Sequence, residues 1–300
     1  MEKNSLQRKL SVREFFKRFP DDATCLERLM DIRFGLRHDC RMCGVVNATF
    51  HRLENRKAYC CAHCGGHVYP CAGTIFEKSR TSLQNWFYAI FLFTTTRHGV
   101  SGMELHRVLG VTRKCGYRMG MQIRELMEKA DVKGLLGGSL KHIEMDEAYV
   151  GGRNPGGKRG RGSENKTIVF GIKERGGYIR AAVVPDASKA SLRKVVLENV
   201  KTGSIVSTDE FVSYGLLIRD GYIHGTVNHG EKEYARTDEI GVVHHVNSVE
   251  SFWRLFKASV RGTHVQISRE HAQKYVNEFV TRQNYRDLGN GMFDVLLSAL

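Results

Sequence analysis

Six of the chain's eight cysteines, Cys40, Cys43, Cys60, Cys61, Cys64 and Cys71, fall within 32 residues, and no other feature restricts the fold as much. Two Cys-x2-Cys pairs, Cys40/Cys43 and Cys61/Cys64, stand out in that cluster with 17 residues between them. Two tight turns at this separation can each offer two sulfurs to one tetrahedral ion, which is the spacing of a four-thiolate zinc ribbon. Using Cys60 instead of Cys61 stretches the second turn, and Cys71 lies seven residues past Cys64, so both are left out. A module this poor in large apolar residues needs its ion to fold, so structural Zn²⁺ is expected; the alternative is a set of free buried thiols.

Clustered cysteines point to metal rather than disulfides if the compartment is reducing. The start, MEKNSLQRKLSVREFF, alternates charged and apolar residues without a continuous apolar stretch, and no apolar run approaches the roughly 18 residues of a membrane helix. The expectation is therefore a cytoplasmic protein with no membrane partner. The chain of 300 residues carries a net charge of +14, which calls for a polyanionic partner such as nucleic acid. Residues 1–140 hold 23 basic and 13 acidic side chains, against 23 and 19 in residues 141–300, so the front half is expected to grip the polyanion.

Ser82 begins an aromatic-rich stretch that predicts a helix buried between domains. Farther on, Ser101 can cap a short helix containing Leu105 and Val108, Leu109-Gly110-Val111 turns, and Thr112 caps a second helix to about Lys129. This is a helix-turn-helix pattern. It puts Thr112, Arg113, Lys114, Tyr117 and Arg118 at the start of a DNA recognition helix, although two short helices with inward Leu, Val and Met can equally be plain core.

After the Gly-rich linker 134–138 the period changes from helical to alternating, and HIEMDEAYV, KTIVFGIK and YIRAAVV follow as three strand candidates. Next come a helix from Ser188 to Asn199, the strand SIVSTD and further helices, an α/β pattern. Arg153, Lys158, Arg159 and Arg161 on the glycine-rich stretch 151–162 suit phosphate contact, or else decorate a solvated hairpin loop. Asp146 is expected to end the first strand and Asp209 the strand after the helix, while Glu250 lies on the helix VNSVESFWRLFKASV. Carboxylates that converge from strand ends hold hard divalent cations, and two such ions can clamp the attacking and leaving oxygens of a phosphodiester displacement. Each acid taken singly can also be a cap or a solvent-facing carboxylate.

The runs CRMCG…YCCAHCGGHVYPCAGTIFEKSRTSLQNWF, IEMDEAYVGGR…GKRGRGSENKTIVFGI, VSTDEFVSYGLL and HHVNSVESFWRLFK occur in one order. Together they resemble the DDE-type transposases of bacterial insertion sequences that carry an N-terminal zinc ribbon. The resemblance spans roughly residues 35–290 and implies an α/β, ribonuclease-H-like catalytic domain preceded by a zinc ribbon and a helix-turn-helix. It also implies two Mg²⁺ (or Mn²⁺) ions and strand transfer of element ends into target double-stranded DNA by a homo-oligomer. Asp146 matches the first catalytic aspartate and Asp209 the second. Glu250 is preferred as third ligand, because Lys257 lies two helical turns along its face and would orient phosphate or a terminal base; Asn247 is the alternative. The implied layout is a helical segment at 1–37, the ribbon at 38–75, the DNA-binding helices at 80–133, the catalytic domain at 138–290 and a tail at 291–300. Two rival readings are a non-catalytic zinc-ribbon and helix-turn-helix DNA-binding regulator, and a metal-dependent nuclease.

Overall fold

The structure, a computed structural model, describes residues 10–151, 166–209, 217–228, 231, 233–289 and 291–300. Arg153, Lys158, Arg159 and Arg161 lie outside the described residues. The chain forms two compact units, one of residues 1–130 with 285–300 and the other of residues 131–284.

Unit 1 starts with α1 (Val12–Arg18), opened by a Ser11/Glu14 capping box, and α2 (Asp22–Phe34), capped by Asp21. A four-stranded antiparallel sheet follows in the order β1 (Arg37–His38), β2 (Ala48–Arg52), β3 (Tyr59–Cys61), β4 (His67–Val68). Next comes α3 (Leu83–Thr95), capped by Ser82, whose Trp86, Phe87, Ile90 and Phe93 are fully buried. This helix belongs to the core of unit 1, which corrects its expected place between domains: apolar residues around its whole circumference need partners on every side. The Ser101-capped α4 (Gly102–Leu109) and α5 (Arg113–Ala130) complete the front of the chain, joined at Gly110 in a left-handed C-cap. They pack closely because both contact positions are glycine: a Cβ on Gly116 would lie 2.5 Å from the Gly102 carbonyl.

The final residues are not the free tail that sequence suggests. They form α9 (Gly291–Ser298), whose Phe293, Leu296 and Leu297 are fully buried with Phe15, Phe19 and Phe87 in the same core. An eight-residue segment with four apolar side chains on one face hides them against a neighbour, and the aromatic cluster of unit 1 supplies that surface.

Unit 2 is a mixed α/β unit. Strands β5 (His142–Val150), β6 (Thr167–Glu174) and β7 (Ile179–Val184) run antiparallel, α6 (Lys189–Asn199) crosses over, and β8 (Ile205–Asp209) and β9 (Ile223–Val227) return parallel to β5. The sheet order is β7-β6-β5-β8-β9. Alternation along β5 sorts its side chains by face: Ile143 and Met145 pack with Leu192 and Val196 of α6, leaving Glu144 and Asp146 for the other face. On that other face lies α7 (Asn247–Ser259), and α8 (Ala272–Asn284) packs against β7. Trp253 and Phe256, like Tyr275 and Phe279 of α8, are core residues.

Asp146 does not end a strand, as its place in the sequence suggests. It sits in the middle of β5, paired with Gly171, because β5 continues to Val150 as one arm of the hairpin with β6. What stops near Asp146 is the parallel pairing with β8, whose last partners are Glu144 and Ser207.

Candidate functional site

In the ribbon, the two Cys-x2-Cys turns are near copies. Each is followed by a glycine in the left-handed region, Gly44 at φ 72° and Gly65 at φ 71°. Each closes alike: Gly44 N donates to Cys40 O at 2.8 Å, and Gly65 N to Cys61 O at 3.0 Å. A Cβ is disfavoured at that φ, so the glycine after each pair is what lets the chain reverse and aim both sulfurs inward. Strands β2 and β3, in register at Phe50↔Cys61, bring the turns together. The sulfurs of Cys40, Cys43, Cys61 and Cys64 all lie within 4.8 Å of one another, with Cys40 to Cys64 at 3.7 Å and Cys43 to Cys61 at 4.0 Å. Zn–S bonds of about 2.3 Å in a tetrahedron put sulfurs roughly 3.8 Å apart, so the four residues fit a zinc ion. Backbone N–H groups of Cys43 and Met42 lower the Cys40 thiol to about 6. The Gly66 N–H also favours the Cys64 thiolate, but crowding by Cys43, Cys40 and Cys61 together with burial outweighs it and raises that thiol to about 12. Four such thiolates share one cage only around a cation. Cys60 and Cys71 stay outside it.

At the start of α5, the preceding Thr112 and the helix residues Arg113, Lys114, Tyr117 and Arg118 are all exposed, and Gly116, Met119 and Gly120 are buried. Thr112 Oγ1 caps the helix by accepting from Cys115 N at 3.2 Å. The helix start is therefore a cationic, solvent-facing stripe with one aromatic ring.

In unit 2, the Asp146 carboxyl is raised to about 7, chiefly by burial and then by the negative charges of Glu147, Asp209 and Glu250. Asp209, at the end of β8, and Glu250, in the first turn of α7, thus both lie near enough to act on Asp146 of β5. Gly171 makes this approach possible: a Cβ there would meet Trp253 of α7 at 2.5 Å, so only glycine lets α7 settle beside Asp146. Asn247 is the first residue of α7 and, like Glu250, is exposed. Lys257 stands seven residues after Glu250, two turns along the same face. Carboxylates are the donors that suit a hard divalent cation, and Asp146 is half-buried; among the described residues only the four ribbon cysteines already hold their ligand atoms within 4.8 Å of one another.

The adjacent histidines His244 and His245 stand out in the sequence, but Glu144 and Arg175 beneath the acids do not. Glu144 is fully buried and paired with Arg175 at 2.9 Å, and its position two residues before Asp146 is the one signal that could have found it. His245 Nδ1 lies 3.0 Å from Glu144 Oε1 but is not aligned to donate. His244 is buried, bonded to Ser207 Oγ at 2.9 Å and Asp238 Oδ2 at 3.1 Å; a Cβ on Gly225 would strike its ring. His224 bonds Thr208 Oγ1 at 2.9 Å, and burial followed by the charge of His244 lowers it to about 4.

A four-cysteine ribbon in one unit and a mixed sheet with a crossover helix in the other define a two-part, zinc-ribbon α/β protein. Residues 20–67 match the transposase zinc-ribbon domain, and residues 135–284, half of the chain, match the ISXO2-like transposase domain; the chain belongs to that transposase family. It is 28% identical over 276 residues to a protein of the transposable element ISH50 of Halobacterium salinarum, covering 86% of this chain and 88% of that one. It is also 29% identical over 110 residues to a transposase-like protein of Haemophilus influenzae, covering 37% of this chain and 84% of that one. No helix among the described residues is long and apolar enough to cross a membrane.

Proposed function

We propose that the protein is a DNA transposase that binds the ends of its own element and cleaves and joins strands in a metal-dependent site made of Asp146, Asp209 and Glu250. What supports this reading is that Asp209, from β8, and Glu250, from α7, both act on the half-buried Asp146 carboxyl of β5 and raise it. The sheet order, with three antiparallel strands followed by two parallel ones and a crossover helix, supports a ribonuclease-H-like domain over about 138–290. The capped pair α4–α5 supports a helix-turn-helix in 80–133, with Thr112, Arg113, Lys114, Tyr117 and Arg118 set against DNA. The ribbon at 38–75 would be held by Zn²⁺ on Cys40, Cys43, Cys61 and Cys64.

When bound, Mg²⁺ or Mn²⁺ at the acids would activate first water and then a DNA 3′-hydroxyl for attack on phosphodiesters. The protein's own part is electrostatic and positional. Asp146 and Asp209 hold negative charge where the strands present it, and α7 delivers Glu250 from the other side. Lys257, farther along α7, meets a phosphate or a terminal base. Arg153, Lys158, Arg159 and Arg161 add phosphate contacts, and copies of the chain act together on two DNA ends and a target, in association with the nucleoid.

The test is a cleavage and strand-transfer assay on DNA carrying the element's ends. Asp146→Ala and Asp209→Ala are expected to lower both activities at least 10³-fold with DNA binding retained, in the range seen when a catalytic group is removed. Full activity in both variants refutes the site, and cleavage without joining identifies a nuclease. Glu250→Ala is expected to be as inactive as the aspartate variants, and Asn247→Ala to keep most activity; the reverse makes Asn247 the third ligand.

A further inference from the structure

Two residues behind the acids, on the same strands, lies a buried polar layer. Glu144 precedes Asp146 on β5, Ser207 precedes Asp209 on β8, and Glu144 and Ser207 are register partners. Residues two apart on a strand share a face, so this layer underlies the acids. The Glu144 carboxylate accepts from the backbone N–H of Ser248 at 2.8 Å and of Val249 at 3.2 Å, from Ser248 Oγ at 3.1 Å, and from Arg175 Nε at 2.9 Å. The rest of the Arg175 guanidinium donates to Val243 O at 2.7 Å, His245 O at 3.0 Å and Ser207 Oγ at 3.4 Å. One carboxylate and one guanidinium therefore join β5, β8, the segment leading into α7, and the first turn of α7 itself.

Helix α7 has no cap of its own. Its N-cap residue is Val246, which makes no side-chain capping bond, although the start of a helix leaves backbone N–H groups in need of acceptors. Glu144, from a strand about a hundred residues earlier, supplies them, and its charge also suits the positive end of the helix dipole. The start of α7, with Asn247 and Glu250 on it, is thus located by β5 and not by the helix's own sequence. Stability alone does not call for this arrangement, since a buried ion pair can often be replaced by packed apolar residues without loss.

We propose that Glu144, held by Arg175, is the positioning residue of the acid site: it sets where α7 begins and so how closely Glu250 approaches Asp146 and Asp209. The proposal rests on the reading of these acids as cation ligands. It is tested by Mn²⁺ binding to the zinc-loaded full-length chain, followed as loss of the free-ion paramagnetic resonance signal, with thermal unfolding measured alongside. Glu144→Gln keeps size and shape, but its amide nitrogen cannot accept from Arg175 or from the helix N–H groups. This variant is expected to stay folded at the assay temperature and to bind Mn²⁺ roughly tenfold more weakly, the cost typical of losing a group that orients a metal ligand. Asp146→Asn is expected to lose that binding. Wild-type Mn²⁺ binding by Glu144→Gln, beside loss in Asp146→Asn, overturns the positioning role and leaves the acid site standing. Wild-type binding by Asp146→Asn instead overturns the cation reading beneath it. If Glu144→Gln is unfolded, Arg175→Lys takes its place: it keeps the charge beside Glu144 but lacks the fork that reaches Ser207 and His245 together. The same tenfold loss is expected of it, and wild-type binding overturns the proposal.

Discussion

Burial and three neighbouring acids raise the Asp146 carboxyl from the usual carboxylate range to about 7, so without a cation it titrates near neutral pH. Between the unfolded value near 3.8 and about 7, the folded chain binds more protons at this position than the unfolded chain does. Stability therefore falls as pH rises through that window. Without added divalent cation, the wild-type chain should lose roughly 1.5 kcal/mol between pH 5.5 and 7 that Asp146→Asn does not lose, since the slope of about 1.4 kcal/mol per pH unit halves as pH reaches the folded value. Denaturant unfolding of both proteins at the two pH values measures it. Parallel pH dependences in the two chains would mean that Asp146 is an ordinary carboxylate. Mn²⁺ should shrink the difference, because a cation beside the acids favours their charged forms.

At the scale of elements, two glycine arrangements do the positioning. Gly171 on β6 lets α7 lie against the sheet opposite Asp146, and Gly171→Ala would drive a methyl into the buried Trp253 ring and the Val249 side chain. Overpacking of this kind costs about 1–3 kcal/mol, and α7 must retreat to relieve it. Gly171→Ala is thus expected to lower both the unfolding midpoint and strand-transfer rate, and unchanged stability would contradict the close packing of α7. In the ribbon, the repeated Cys-x2-Cys-Gly turns aim four sulfurs at one point. Cys61→Ser is expected to reduce zinc from one ion per chain to nearly none by elemental analysis. It should also lower the unfolding temperature of unit 1, because Phe50, Tyr59 and Phe76 around the ribbon belong to that unit's core. An unchanged zinc content would remove Cys61 from the site.

At the scale of the whole molecule, unit 1 is built from both ends of the chain. The chain leaves it after Ala130 and returns at Tyr285, whose hydroxyl donates to Ala130 O at 2.7 Å. A fragment ending near residue 135 therefore lacks α9 and exposes the aromatic cluster around Phe15, Phe19 and Phe87 that Phe293 covers. Residues 10–130 joined to 285–300 by a short Gly/Ser linker should fold and bind double-stranded DNA, whereas 10–135 should aggregate. Binding should weaken with salt, with a log–log slope of about −3 if Arg113, Lys114 and Arg118 each meet a phosphate. Arg113→Ala should flatten that slope by about one. A salt-independent affinity, or none at low salt, would detach DNA binding from this unit.

The sequence by itself determined the features that depend on local spacing and period. Two Cys-x2-Cys pairs with glycine behind each set up the two sulfur-presenting turns locally, Ser82, Ser101 and Thr112 announce their helices as caps, and alternation places Glu144 and Asp146 on one face of β5. Tertiary structure decided what depends on distant segments meeting. Whether Asp146, Asp209 and Glu250 share a site depends on strand register and on a glycine that admits α7. The value of Glu144 as a helix cap cannot be read near α7, because the helix it caps begins about a hundred residues later in the chain. The last ten residues look like a tail until the aromatic core in the other half of unit 1 is present to receive them, since apolar side chains gain nothing until they have a surface to bury against.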